Sequence, residues 1–377
     1  MQQPRQTVPA RPPRDTRMDI LRGWMQVSIF ISHVIGSVFA WAIHAAWGFS
    51  DSSEQFIFLS GFTLGSVFTL KAARDGFATA HADMLGRTWR LYLTHLMVFA
   101  MFAALVFSAG VHLLPGEVER LHWTFMAEQP WFAIPAAAAT LYQPVFMGIL
   151  PVFVWGMLLL PPFLWLTDRY GAWALLPPVA LYLAVQTGFL AAPEVFENGI
   201  AFDPMAWQLL YLSGAWLGRR SLLTGGRALP HSPWLIAAAI GMVLFAFWSR
   251  LVELGFIAGP ALPRVDQISK EELAWPRLLH AFALAYLAAV LLPREAPWMR
   301  TPLAEAMATI GRHSLQVFCL GLFLAWGAST ALRLWPEEAI WVDPLVILGG
   351  IALLWSLARW REWQRVRSSV RDARAAG

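Results

Sequence analysis

Four short stretches of the chain carry side chains able to do chemistry. In RGWMQVSIFISH, residues 22–33, Arg22 and His33 stand eleven residues apart. On an ideal helix that spacing turns the chain about 20° past three full turns and raises it roughly 16 Å. Both residues then share one face, Arg22 at the start of an apolar run and His33 deep inside it, with Asp19 and Gln26 close to the same stripe. A charged group at such depth costs about 2.5–3.5 kcal/mol and so tends to mark a pathway or a site. Histidine lowers that cost by being neutral at pH 7. Two readings follow: a general base, or a hydrogen-bonded packing histidine between helices.

The second stretch, GFSDSSEQFIFLSGF, puts Asp51 and Glu54 three residues apart, as neighbours on a helix surface. A carboxylate close to His33 would hold its ring in one tautomer and stabilise the imidazolium, as general-base chemistry requires. The competing reading is an acidic helix cap, for which Ser50 and Asp51 are suited and Glu54 less so. Further along, Gly61 and Gly65 form a small-xxx-small seam that lets another helix or a thin substrate approach. In the third stretch, RTWRLYLTHL, the pair Arg87 and Arg90 precedes His95. Guanidinium forks match phosphate oxygens, although arginines here also satisfy the positive-inside rule. The fourth, GRHSLQVF, sets Arg312, His313 and Ser314 before another apolar run, to cap it or to join the same phosphate-binding mouth. No Gly-rich phosphate loop, GxSxG elbow, HExxH or metal-spaced carboxylate cluster occurs, so no metal is expected.

These residues must be positioned by apolar helices. Of the 377 residues 58% are hydrophobic and 14% charged, against about 25% charged in an ordinary soluble domain. The apolar runs are continuous rather than alternating, which argues for helices over a membrane barrel. The expected fold is all-α: a polytopic transmembrane bundle of about ten spans, near 24–43, 54–70, 91–110, 145–166, 172–190, 204–218, 233–250, 277–292, 312–332 and 341–358. The Pro-interrupted patch at 130–142 reads as interfacial or re-entrant. With both termini cytoplasmic, 22 of the 28 Lys and Arg fall on the inner side. Residues 1–18 read as a disordered basic tail, 19–360 as the membrane domain and 361–377 as a second basic tail. The single cysteine excludes a disulfide framework. Basic residues scattered between apolar runs argue against nucleic acid as a partner.

The four stretches RMDILRGWMQVSIFISH, GFSDSSEQFIFLSGF, RTWRLYLTHL and GRHSLQVF, in this order, resemble the OpgC family, within the integral-membrane acyltransferases called acyltransferase type 3. The resemblance implies a multi-pass protein of the bacterial inner membrane. Its activity would be transfer of a succinyl group from cytoplasmic succinyl-CoA, or another acyl-CoA, to glucose hydroxyls of osmoregulated periplasmic glucans, with no tightly bound cofactor. It implies His33 as catalytic base, Arg22 as its motif partner, and Arg87 and Arg90 near the coenzyme. Asp51 or Glu54 would orient His33, and Arg312 would join the coenzyme site. Residues 110–300 carry no matching stretch. Alternatives are an O-acetyltransferase of another exported glycan and, from a different class, a proton-coupled transporter or flippase.

Overall fold

The computed structural model describes residues 14–191, 199–226, 228–260 and 268–375, and these are helical with no strand among them. In chain order the α-helices are α1 (Thr16–His33), α2 (Ser52–Asp75), α3 (Phe77–His112), α4 (Glu117–Arg120), α5 (Thr124–Glu128), α6 (Pro130–Ala138), α7 (Ile149–Tyr170), α8 (Leu176–Gln186), α9 (Pro204–Leu223), α10 (Pro233–Glu253), α11 (Trp275–Leu291), α12 (Pro302–Arg312), α13 (Ser314–Leu334) and α14 (Ala339–Ala375). Among the described residues, six helical stretches are long and apolar enough to cross a membrane: Ser52–Asp75, Phe77–His112, Ile149–Gln186, Pro233–Glu253, Ser314–Leu334 and Ala339–Ser368. The apolar α11 is shorter, at 17 residues. The patch at 130–142 contains only the nine-residue α6. Of the first basic tail, residues 1–13 lie outside the described residues, and α1 starts at Thr16. At the other end α14 carries the chain as helix to Ala375.

The apolar run expected at 24–43 is not one helix. It leaves the α-helix at His33, passes Gly36 at φ 94° and continues in two short 3-10 turns, Val38–Ala42 and His44–Ala46. Polar side chains reward that exit. The Ile35 N–H donates to Ser329 Oγ at 2.9 Å and the Val38 N–H to Asp343 Oδ2 at 2.8 Å, while Ser37 Oγ accepts from the Phe39 N–H. Backbone groups released by the end of a buried helix must find such partners.

The chain divides into two compact units, one holding Ile57–Pro230 and Asp266–Leu278, the other Pro13–Phe56, His231–Val265 and Leu279–Gly377. In the first, α3 packs on α7, and α7 and α8 on α9. The seam at Gly61 and Gly65 is filled by α9. A Cβ on either glycine would strike the carbonyl oxygens of Tyr211 and Ala215, and one on Gly214 or Gly218 would strike those of Phe58 and Phe62. Ser66 Oγ donates to the Gly218 carbonyl at 2.7 Å across the same approach. Of the two occupants the sequence allowed, the seam takes the helix, and it is a packing device.

In the second unit α1 packs on α12 and α13, and α14 on α12 and α13. α12 starts cleanly, with Thr301 Oγ1 accepting from the Ala304 N–H and Pro302 in its first turn. Its Ala304, Ala308 and Ile310 are buried beneath α1, and Gly23 and Gly311 bring the two backbones together. Val27, Phe30, Ile31, Val317, Ala325, Ile347 and Leu354 make the apolar core that holds α1 in place. Burying a side chain such as Phe or Ile stabilises by about 1.5–3 kcal/mol.

Candidate active site

His33 is the last residue of α1 and is half-buried. Its Nδ1 lies 2.7 Å from the carbonyl oxygen of Ile29. A carbonyl can only accept, so Nδ1 carries the hydrogen and, in the neutral ring, Nε2 carries the lone pair. Ser32 Oγ stands 3.4 Å from the same Nδ1 and donates to Ile29 at 2.9 Å. The His33 carbonyl in turn accepts from Ser329 Oγ at 3.3 Å. This contact with the helix's own last turn is enough to set the tautomer. The ring folds back over its own last turn and helps line a narrow crevice with Gln26, Ile29, Phe30, Val317, Phe318, Gly321 and Leu322. That crevice has room for about one water-sized group.

Arg22 lies on the same helix, three residues after the buried Asp19 and eleven before His33. Asp19 accepts from Arg14 Nε at 2.6 Å. The pairing ties the chain entering α1 to the helix's first turns.

Asp51 and Glu54 form a reciprocal capping box at the start of α2. Asp51 Oδ1 accepts from the Ser53 N–H at 2.7 Å, and Glu54 Oε2 accepts from the Asp51 N–H at 2.9 Å. Two donors of the first turn are thereby satisfied, which explains the Asp-x-x-Glu spacing without catalysis. Glu54 is nonetheless fully buried, as Ser50, Ser52, Ser53 and Gln55 nearly are. This polar knot is anchored by a histidine that the sequence reading did not single out. Ser50 contributes its N–H, 3.2 Å from His280 Nδ1, and its Oγ, at 2.7 Å from the same atom. Since an amide N–H only donates, Nδ1 of His280 is the acceptor and Nε2 bears the hydrogen. Gln55 Nε2 reaches Ser50 Oγ at 3.4 Å. Gly48 leaves room for the imidazole, which a Cβ there would strike, and Phe49 meets its face edge-on. One signal could have found His280: an ionisable side chain inside an apolar helix, the rule that drew attention to His33.

The arginines have different surroundings. Arg87 pairs with Asp83 at 2.9 Å, and Asp83 also holds Lys71 at 3.1 Å. Arg90 is exposed and, among the described residues, has no ion-pair partner. Arg312 donates to Glu305 Oε1 at 2.8 Å and Thr309 Oγ1 at 2.9 Å, with Glu362 at 3.5 Å. His313 Nε2 lies 2.8 Å from Glu362 and Ser314 Oγ donates to the Gly311 carbonyl. The GRHS stretch is thus an ionic clasp between α12 and α14 at the start of α13. Arg22, His33, Asp51, Glu54 and Arg312 belong to one unit, and Arg87 and Arg90 to the other.

An apolar helical protein with polar side chains gathered at helix ends is a multi-pass membrane protein in class. The chain belongs to the OpgC protein family, whose model matches residues 14–366 and so includes all four stretches. No curated protein and no solved structure matches it. Family membership and the membrane-like helices together support a membrane acyltransferase.

Proposed function

We propose that this protein transfers a succinyl group from cytoplasmic succinyl-CoA to glucose hydroxyls of osmoregulated periplasmic glucans, from ten spans of the bacterial inner membrane with both termini cytoplasmic. The observation that carries the reading is His33. Its Nδ1–H is tied to the Ile29 carbonyl, so Nε2 is the basic nitrogen, and the ring borders a crevice at the end of α1. In the reaction Nε2 takes the proton of a glucose hydroxyl as its oxygen attacks the thioester carbonyl carbon. The C–O bond forms, the C–S bond breaks, and the imidazolium returns the proton to the departing thiolate. The carbonyl end of a helix is a favourable place for that transient cation. Arg22, Arg87 and Arg90 serve the anionic coenzyme, the exposed Arg90 fork having no competing carboxylate among the described residues. Arg312 acts there only by exchanging Glu305 for a phosphate.

The test follows labelled succinyl-CoA and glucan with the full chain in proteoliposomes. Transfer that is lost in His33→Ala and kept in Trp363→Ala, an exposed position on α14, supports the enzyme. Glucan crossing the bilayer unmodified would defeat it in favour of a transporter, and label moving only from acetyl-CoA would replace the acyl group.

A further inference from the structure

We propose that the side-chain amide of Gln26 is the oxyanion donor of this site, binding the thioester carbonyl oxygen as it gains charge. The inference rests on the acyl-transfer reading and adds a catalytic group to it. Gln26 is only 2% exposed, and its Nε2 has no hydrogen-bond partner among the described residues. A donor buried without a partner costs roughly 1–3 kcal/mol on mutational scales, which favours a role that supplies the missing acceptor. This side chain also shares a helix face and a crevice with His33. Gln26 precedes His33 by seven residues, which on a helix is about 20° short of two full turns, so both lie on one face. His33 bends back to the carbonyl of Ile29, three residues from Gln26. Both side chains line the same crevice, whose other walls, Ile29, Phe30, Val317, Phe318, Gly321 and Leu322, offer apolar side chains or none.

The division of labour is then complete within one helix. Nε2 of His33 removes the proton from the attacking hydroxyl while the N–H of Gln26 meets the oxygen of the tetrahedral intermediate. The water-sized crevice suits a single oxygen atom. Surroundings of low polarity strengthen a hydrogen bond to a developing charge more than one to the neutral carbonyl, so the contact acts on kcat rather than on KM.

The experiment compares Gln26→Met and Gln26→Glu with wild type and His33→Ala, using succinyl-CoA and, in parallel, acetyl-CoA as donors with glucan. The expected result for Gln26→Met is a kcat about 10²–10³-fold lower, a KM for acyl-CoA within about twofold, and an unfolding temperature equal to wild type or higher, since methionine fills the space without burying an unpaired amide. Gln26→Glu retains a donor only when its carboxyl is protonated, so its kcat should rise as pH falls relative to wild type. A kcat for Gln26→Met within about threefold of wild type overturns the inference, as does a loss that tracks a lowered unfolding temperature. The two readings separate cleanly. If His33→Ala is inactive and Gln26→Met active, only the role of Gln26 falls; if His33→Ala keeps transfer, or wild type transfers from neither donor, both fall.

Discussion

His33 and His280 are imidazoles of the same unit, yet opposite nitrogens face their protein partners. His33 gives its Nδ1 hydrogen to the Ile29 carbonyl and borders a crevice. His280 accepts at Nδ1 from both donors of Ser50 and is only 3% exposed, walled by Gly48 and Phe49. In the first arrangement the lone pair of the neutral ring is on Nε2, the nitrogen assigned to proton transfer in the proposed reaction. In the second the lone pair already serves a backbone amide and a hydroxyl. Residue type does not separate the proposed base from the staple; the direction of one hydrogen bond distinguishes the two rings.

The largest effect should come from His33→Ala, which is expected to lower acyl transfer about 10²–10⁴-fold with little change in unfolding temperature. Next, His280→Ala should act on stability. It leaves the Ser50 N–H and hydroxyl buried without their acceptor, at about 1–3 kcal/mol for each. Thermal unfolding in detergent should drop by several degrees while turnover per folded molecule persists. An inactive His280→Ala with unchanged unfolding would break the comparison and make Ser50 and His280 a second reactive pair.

A smaller effect sharpens the role of the cap. Asp51→Ala should cost about 0.5–2 kcal/mol and Asp51→Asn much less, because asparagine caps as well as aspartate. Lost transfer in a fully stable Asp51→Asn would instead assign the carboxylate's charge to the chemistry at His33. The smallest effect concerns His44, between α1 and α2. Its burial pushes its pKa below the ordinary histidine value, a shift partly offset by the nearby Asp51 charge. The folded state therefore binds this proton less tightly than the unfolded chain. Stability from this site is full above about pH 6.5 and declines as the pH falls through the folded-state value. His44→Phe should flatten that decline in melts run between pH 7 and pH 5.

The sequence foretold much of this. Long apolar runs were legible as helices because periodicity and length are local properties, and the stripe of Asp19, Arg22, Gln26 and His33 follows from helical geometry alone. The break after His33 was not legible. Residues 34–43 are as apolar as a span, and the groups that receive the chain where the helix ends are Ser329 and Asp343, 294 and 305 residues from their partners. Asp51 and Glu54 are legible as neighbours, but a capping box and an electrostatic partner demand the same spacing. Arg312 looked available because Glu305 and Glu362 come from different helices, and only the packing of α12 and α14 brings them to it. Ser50 and His280 are separated by 230 residues, so nothing local announces their bond.

The exit of the chain from α1 also bears on biosynthesis. The Ile35 N–H finds its partner in Ser329, 294 residues later, which at about 5–20 residues per second places roughly 15 s to a minute of translation between them. Until the last two helices emerge from the ribosome, the end of α1 lacks the groups that terminate it. The local geometry after His33 can therefore be completed only once α13 and α14 have been made.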